Sequence, residues 1–104
     1  MAEKLPVQID NDMAALAGIK LEACAAYYNG DDEIRILGEA VTANGKSIED
    51  YREMQAVAYD ADGDIIGRSY TNWGSFQIRQ SFEIYIDELP CDPVRVRVFP
   101  SKSD

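Results

Sequence analysis

The stretch FQIRQSFEIYI at residues 76–86 decides the fold. Its even positions carry apolar side chains, namely Phe76, Ile78, Phe82, Ile84 and Ile86. Gln80 is the one polar exception in this series. Successive side chains leave a β-strand on opposite faces, so this alternation gives a strand one apolar face. On a helix the same residues would scatter around the axis and form no stripe. We therefore predict one half-buried strand over residues 76–86, which carries the core.

Further segments with the same alternation, none of them longer, lie along the chain. They cover residues 5–9, 19–27, 33–43, 51–60, 64–70 and 94–98. Pro6 places the first of them at the edge of a sheet, because proline cannot donate a hydrogen bond to a neighbouring strand. Gly38 predicts a bulge or a close approach of the backbone to another group.

Turn residues connect these segments. Asp62-Gly63 predicts a two-residue type I′ hairpin loop, whose central residues both need a positive φ. Residues 71–75, which include Trp73, are predicted to form a loop. The loop around Pro90, taken as symmetric, predicts four facing pairs: Phe82 with Val98 and Ile84 with Val96 inside, Glu83 with Arg97 and Tyr85 with Arg95 outside.

About seven short strands with regular turn signals predict an all-β fold, an Ig-like antiparallel β-sandwich. The one helical segment is residues 13–17, with Asp12 as its cap and Gly18 as its end. The chain has 104 residues, which make a single domain. We expect flexible ends at residues 1–4 and 100–104.

Composition limits the classes of partner. Ten Lys and Arg against nineteen Asp and Glu give a net charge of −9, which repels phosphate backbones and anionic membranes. We therefore expect no nucleic acid and no membrane as partners, whereas a protein partner fits a monomer or an edge-strand dimer. With no apolar run of about 20 residues and no signal region, we expect a cytoplasmic protein, or an exported one if the sequence is truncated.

Few residues support catalysis or cofactor binding. The chain has no histidine, so the usual general base is missing, and no nucleophile or phosphate-binding motif is present. Cys24 and Cys91 lack a metal-binding spacing; we expect free thiols, although a disulfide across the sandwich stays open. The sequence thus predicts no enzyme and no cofactor except calcium, and a small carboxylate-based enzyme is the catalytic alternative.

Asp60, Asp62 and Asp64 place three carboxylates within five residues. Oxygen ligands of this kind suit a hard cation such as calcium. The spacing begins like an EF-hand loop, but glycine falls at the fourth position rather than the sixth, and Thr71 stands where a glutamate is needed. The alternative is that Asp62-Gly63 makes the turn while the aspartates keep its tip in water.

Arginine and aromatic residues are the candidates for binding a partner. Arg79, Arg95 and Arg97 fall on one outer face of the predicted pairing, where they could receive a carboxylate or pair with neighbouring acids. Trp73 and Tyr70 belong to the loop region after the hairpin, and aromatic side chains there are suited to anchoring a partner. Trp73 could equally fold back as a lid on the core.

A run of short motifs extends over about two-thirds of the chain. They are LGEAV at residues 37–41, Asn44-Gly45, AYD at 58–60, Asp62-Gly63, IIG at 65–67 and FEI at 82–84. In this pattern the chain resembles the FxLYD-type domains, small Ig-like sandwiches found mostly in bacterial proteins, although Ala56 and Ala58 replace the family's Phe and Leu. The resemblance implies a non-catalytic accessory or interaction domain, often in exported proteins. A protein-binding module is the leading hypothesis, and a calcium-dependent domain is the alternative.

Overall fold

Two four-stranded β-sheets pack face to face in a computed structural model of the protein, which describes residues 3–101. The elements in chain order are β1 (Glu3–Leu5), β2 (Val7–Ile9), α1 (Asn11–Ala17), β3 (Ile19–Tyr28), β4 (Ile34–Thr42), β5 (Arg52–Tyr59), β6 (Ile65–Trp73), β7 (Arg79–Ile86) and β8 (Arg95–Ser101). The first sheet has the strand order β1-β3-β4-β7, and the second has β2-β8-β5-β6. The predicted all-β sandwich is confirmed, with eight strands in the described residues instead of about seven.

The described part of the chain begins and ends in strands. Glu3 and Lys4 belong to β1, and Pro100 and Ser101 belong to β8. The sheets therefore extend into both segments for which the sequence predicts flexible ends. The remaining residues of the two segments predicted to be flexible, 1–2 and 102–104, lie outside the described residues.

Alternate residues of the strands fill the space between the two sheets. Buried side chains include Ile34 and Ile36 of β4, Met54 of β5, Ile84 of β7 and Val96 of β8. Each of them is separated from the next buried residue of its strand by one that points outward, as the pleat requires. The intervening residues are therefore available to the outer faces of the sandwich.

The N-terminal segment is divided between the two sheets. Leu5 of β1 lies opposite Ala26 in an antiparallel pair with β3, whereas Val7 of β2 lies opposite Val96 in a parallel pair with β8. The predicted single strand over residues 5–9 is therefore wrong, because the chain changes sheet at Pro6. Both short strands are edge strands, which confirms the edge position predicted for Pro6.

The helix α1 starts two residues before the predicted turn. Asp10 caps it, since its Oδ1 accepts a hydrogen bond of 3.1 Å from the backbone nitrogen of Met13. Asp12, the predicted cap, lies inside the first turn instead. Gly18 ends the helix as predicted, in the left-handed conformation with a φ of 73°. No helix within residues 3–101 is long and apolar enough to cross a membrane.

The strand predicted over residues 76–86 starts later than its alternation indicates. β7 begins at Arg79, and Ile78 is 50% exposed. Phe76 is fully buried but lies before the strand, in an isolated bridge with Ile48 whose two backbone hydrogen bonds are 2.7 Å long. Residues 74–78 carry the chain from the second sheet to the first. The apolar alternation of the sequence therefore begins in this crossing segment, before β7 starts to pair with β4 at Arg79.

The four facing pairs predicted around Pro90 are also wrong. β7 belongs to the first sheet and β8 to the second, so neither strand is hydrogen-bonded to the other. Glu83 lies opposite Leu37 of β4 and pairs with Arg35, not with Arg97. The connection of residues 87–94 is long enough to cross the roughly 10 Å between packed sheets.

The hairpin between β5 and β6 has a three-residue loop rather than the predicted type I′ turn. The backbone nitrogen of Gly63 donates to the Asp60 carbonyl at 3.1 Å, and the nitrogen of Asp60 donates to the Asp64 carbonyl at 3.0 Å. Gly63 has a φ of 83°, whereas Asp62 has no positive φ. This combination is a type I turn followed by a left-handed glycine, which hairpins also use.

Gly38 of β4 allows the closest approach in the core. A Cβ atom at this position would lie 2.6 Å from Cζ of Phe82 and 2.8 Å from Sγ of Cys24. The predicted close approach is therefore confirmed, while the bulge belongs to the partner strand β3, where Ala23 has a φ of 53°. Cys24 and Cys91 are both free thiols, and burial raises the pKa of the Cys24 thiol.

We expect Gly38→Ala to lower the free energy of unfolding by about 1–3 kcal/mol, because the added methyl group overpacks the core against the Phe82 ring. Urea denaturation measures the change. Gly74→Ala is the matched control, since nothing lies within 4 Å of a Cβ atom there, and its effect should stay within about 0.5 kcal/mol. Adding Phe82→Leu to Gly38→Ala should recover part of the loss. Equal stability of the two alanine variants would contradict the close approach.

Candidate functional site

The outer face of the second sheet brings arginine and aromatic side chains together. Its strand β5 turns the even-numbered residues to the core and the odd-numbered residues outward. The outward residues of β5 and of its neighbours β6 and β8 include three arginines and three aromatic residues: Tyr59, Arg68, Tyr70, Arg95, Arg97 and Phe99. We call these six residues the cation–aromatic face.

Val57 lies at the centre of this face. It points outward, yet only 5% of it is exposed. Its direct neighbours are Arg68 of β6 and Arg97 of β8. Long side chains cover apolar surface with their methylene stems while their charges stay in water. The face therefore has an apolar centre beneath an arginine cover.

Stacking holds two of the arginines in place. The guanidinium carbon of Arg95 lies 3.9 Å from the ring centre of Tyr59, and that of Arg97 lies 4.6 Å from the ring centre of Phe99. Nε of Arg97 also donates a hydrogen bond of 3.1 Å to the hydroxyl oxygen of Tyr59. Such cation–π contacts fix the orientation of a guanidinium group. The contacts therefore favour one orientation of Arg95 and of Arg97 in the absence of a partner.

Two of the three arginines on this face have no acidic partner in the described part of the chain. Arg97 pairs with Asp10, with 3.0 Å between Nη1 and Oδ2. Arg95 reaches only the amide oxygen of Gln8, at 3.4 Å, and the exposed Arg68 makes no ion pair within residues 3–101. In a chain with a net charge of −9, the face is a local region of positive charge.

The outer face of the first sheet differs, because its arginines are neutralised by neighbouring acids. Nη1 of Arg79 lies 3.1 Å from Oε1 of Glu22 and 2.7 Å from Oε1 of Glu39. Arg35 pairs with Glu83, and its hydrogen bond holds the pKa of that carboxyl below the ordinary value. The first sheet thus satisfies these charges internally.

The structure brings three of the five predicted binding residues together. Tyr70, Arg95 and Arg97 all belong to the cation–aromatic face, and Tyr70 is 59% exposed. Arg79 does not join them, because β7 lies in the first sheet. The predicted common face of Arg79 with Arg95 and Arg97 is therefore wrong.

Trp73 ends β6 instead of lying in a loop. It is half-buried and packs against the core, with its ring edge-on to Phe76 at a centroid distance of 5.0 Å. Of its two predicted roles, this position corresponds to the lid on the core. The wider loop predicted for residues 71–75 is reduced to the crossing segment that follows β6.

The aspartates of the β5–β6 hairpin do lie close together. One carboxylate oxygen from each of Asp60, Asp62 and Asp64 lies within 4.8 Å of the others. Oδ1 of Asp60 already accepts hydrogen bonds from the backbone nitrogens of Asp62, at 3.0 Å, and of Asp64, at 2.9 Å. Asp60 therefore shapes the loop, while Asp62 and Asp64 are exposed at its tip.

Tyr59, Arg68 and Phe99 are the residues of the face that sequence reasoning did not assign to the binding site. The available signal was the alternation at the end of the chain, where Arg95, Arg97 and Phe99 share one side of the last strand. Tyr59 joins them only through the pairing of β5 with β8, and alternation does not reveal which strands are neighbours.

Glu53 lies at the border of the face and is occupied by local donors. Its two carboxylate oxygens accept hydrogen bonds from the Tyr51 hydroxyl at 2.6 Å and from the Gln55 amide at 3.0 Å. The bond from Tyr51 stabilises the protonated phenol, and this raises the pKa of Tyr51 to about 12. Glu53 consequently makes no ion pair with the arginines in the described structure.

Comparisons with protein-family models, curated proteins and solved structures found no significant match to this chain. The resemblance to FxLYD-type domains is thus neither supported nor contradicted by them.

Replacing Glu53 by glutamine should return the pKa of Tyr51 toward the ordinary value of about 10, because the anionic acceptor of its proton is lost. Titration followed by the ultraviolet absorbance of tyrosinate measures the pKa of Tyr51. In the parent protein and in the Glu53→Gln variant alike, the signal of Tyr51 is the difference between the titration of that protein and the titration of the same protein with Tyr51→Phe added. A Tyr51 that titrates normally before the change, or one that keeps its raised pKa after it, would show that Glu53 is not the cause.

Proposed function

We propose that this protein is a non-enzymatic accessory module, an Ig-like β-sandwich that binds a protein partner through the cation–aromatic face. The observation that carries the proposal is the presence of Arg68 and Arg95 beside exposed Tyr70 with no carboxylate partner in the described chain. Arginine and tyrosine are the residues that protein interfaces enrich, particularly at the positions that dominate affinity.

The order of the face also favours binding. A partner loses affinity when flexible side chains must be immobilised on association. Arg95 and Arg97 are already held by Tyr59 and Phe99, so this cost is small for them. The exposed ring of Tyr70 supplies apolar surface to a partner, and the arginines on the same face favour a partner that presents carboxylates.

The alternative of a carboxylate-based enzyme has less support. A paired-carboxylate mechanism needs acids that converge on a cleft. The three aspartates that cluster, Asp60, Asp62 and Asp64, lie at a hairpin tip where two of them are exposed. The family resemblance points in the same direction, since it implies a non-catalytic domain.

Site-specific photocrosslinking tests the proposal. A photoreactive phenylalanine derivative replaces Tyr70, which is 59% exposed on the face, or Tyr85, which is 46% exposed on the first sheet. We expect position 70 to give discrete protein adducts in an extract of the native cells and position 85 to give none of them. The added pair Arg68→Glu and Arg95→Glu should abolish the adducts, because it reverses the charge that attracts the partner.

The charge-matched control for that experiment is Lys20→Glu with Lys46→Glu, which changes the net charge equally at exposed positions away from the face. Adducts from position 70 should persist in it. Identical adducts from positions 70 and 85, or adducts that survive the arginine reversal in a folded protein, would refute binding through this face.

A calcium-dependent domain is the second candidate, favoured by the close carboxylates of the β5–β6 hairpin. Asp62 and Asp64 have exposed oxygens within 4.8 Å of each other, a spacing at which one cation can contact both. Water would supply the remaining ligands, because calcium takes 6–8 oxygens. The hydrogen bonds to Asp60 that shape the loop hold the three residues in this arrangement.

If calcium binds there, it should stabilise the fold by about 2.7 kcal/mol at 100 times its dissociation constant. Thermal unfolding with and without millimolar calcium measures the shift. Asp62→Asn should remove the shift. It should not disturb the turn, since the carboxylate that accepts the hydrogen bonds of the turn belongs to Asp60. The control is Asp31→Asn in another exposed turn, which should leave the shift unchanged. An unfolding temperature that does not respond to calcium would exclude this candidate.

A further inference from the structure

A pocket of about 250 Å³ lies at the end of the sandwich beside α1. The helix end, the connection after β4 and the start of β5 form its walls, which include Leu16, Ala17, Ala43, Asn44, Ile48 and Arg52. Most of these side chains are apolar, and Leu16 is 71% exposed. The pocket therefore combines an apolar wall with a single cation.

The cation is Arg52, the first residue of β5. It falls on the inward side of that strand and is only 8% exposed. Its Nε donates a hydrogen bond of 3.0 Å to the carbonyl of Ala17, and its Nη1 donates one of 2.9 Å to the carbonyl of Tyr51. Within residues 3–101 it makes no ion pair with a carboxylate.

A buried guanidinium group without a counter-charge is costly, because the loss of hydration is not repaid by an anion. The two carbonyl acceptors carry only partial charges, even though that of Ala17 lies at the negative end of the helix. Nη2 of Arg52 donates to no acceptor in the described part of the chain. The floor of the pocket is thus positively charged and retains a free donor.

Asn44 adds donors to the same pocket. Its Oδ1 accepts a hydrogen bond of 2.9 Å from the backbone nitrogen of Lys46, so the amide nitrogen is the group left for a ligand. A pocket whose free polar groups are donors selects an acceptor, and the charge of Arg52 selects an anionic one.

We propose that this pocket binds a short aliphatic carboxylate, with the carboxylate on Arg52 and the hydrocarbon chain against Leu16 and Ile48. The planar guanidinium group matches the geometry of a carboxylate. The volume is below the usual range of ligand pockets, about 300–1,000 Å³, which favours a short ligand such as a chain of about six carbons. This site is separate from the cation–aromatic face and does not depend on the proposed protein partner.

Hexanoate is the probe, and the titration is followed by the backbone amide spectrum of the intact protein. We expect saturable shifts confined to residues 15–18, 43–48 and 52. Hexanol should give no saturable shift because it lacks the charge, and acetate should bind at least tenfold more weakly because it lacks the chain.

Variants separate this site from a general effect of fatty acids. Arg52→Met should weaken hexanoate at least tenfold, whereas Arg52→Lys should retain part of the affinity. Ala15→Trp should block the mouth of the pocket without disturbing the core, since Ala15 is an exposed wall residue. If Arg52→Met does not fold, the affinity of Ala15→Trp for hexanoate tests the proposal in its place. Ala61→Trp at the exposed hairpin tip is the control and should bind like the parent.

Three results would overturn the proposal. The first is that hexanol and hexanoate shift the same residues equally. The second is that Ala15→Trp binds hexanoate with the affinity of the parent protein. The third is that a folded Arg52→Met variant binds hexanoate with the affinity of the parent protein.

Discussion

Each sheet can bury only one face, and the rest of the structure depends on this constraint. The inner faces are committed mainly to apolar packing, to the extent that Gly38 has no room for a methyl group beside the ring of Phe82. Polar chemistry is consequently confined to the outer faces, the hairpin tips and the ends of the sandwich. The arginine-rich face, the aspartate hairpin and the pocket beside α1 occupy these three kinds of position.

The two outer faces use the same residue types with different results. On the first sheet, the register of β4 with β7 places Arg35 and Glu83 close enough to pair, and Arg79 lies between two glutamates. On the second, the positions beside the arginines of β8 hold Tyr59 and Val57 instead of acids. A partner with carboxylates is therefore attracted to the second sheet and repelled by most of the remaining surface, which favours one orientation of binding.

Although Ile78 is 50% exposed where alternation placed it inside, alternation predicted most of the strands and most of the residues that point inward, because the two faces of a strand follow directly from a period of two. It could not predict neighbours, since many pairings satisfy the same alternation. The pairing of Glu83 with Arg97 assumed that β7 and β8 form a hairpin, whereas the chain crosses between the sheets after residue 86. For this reason Tyr70, Arg95 and Arg97 could be named as site residues, but Arg79 was placed with them and Tyr59 was not.

Arg52 breaks the pattern of the core, because it places a charged side chain at an inward position. It occupies an inward position of β5 where Met54, Ala56 and Ala58 follow at every second residue. Replacing a buried charge by a well-packed apolar side chain of similar volume is often neutral or stabilising, so packing alone does not require an arginine at this position. The arginine instead holds the end of α1 through Ala17 and gives an otherwise apolar pocket its charge. A charged residue at an inward position that also lines a pocket fits recognition of an anion, in addition to its contact with the end of the helix.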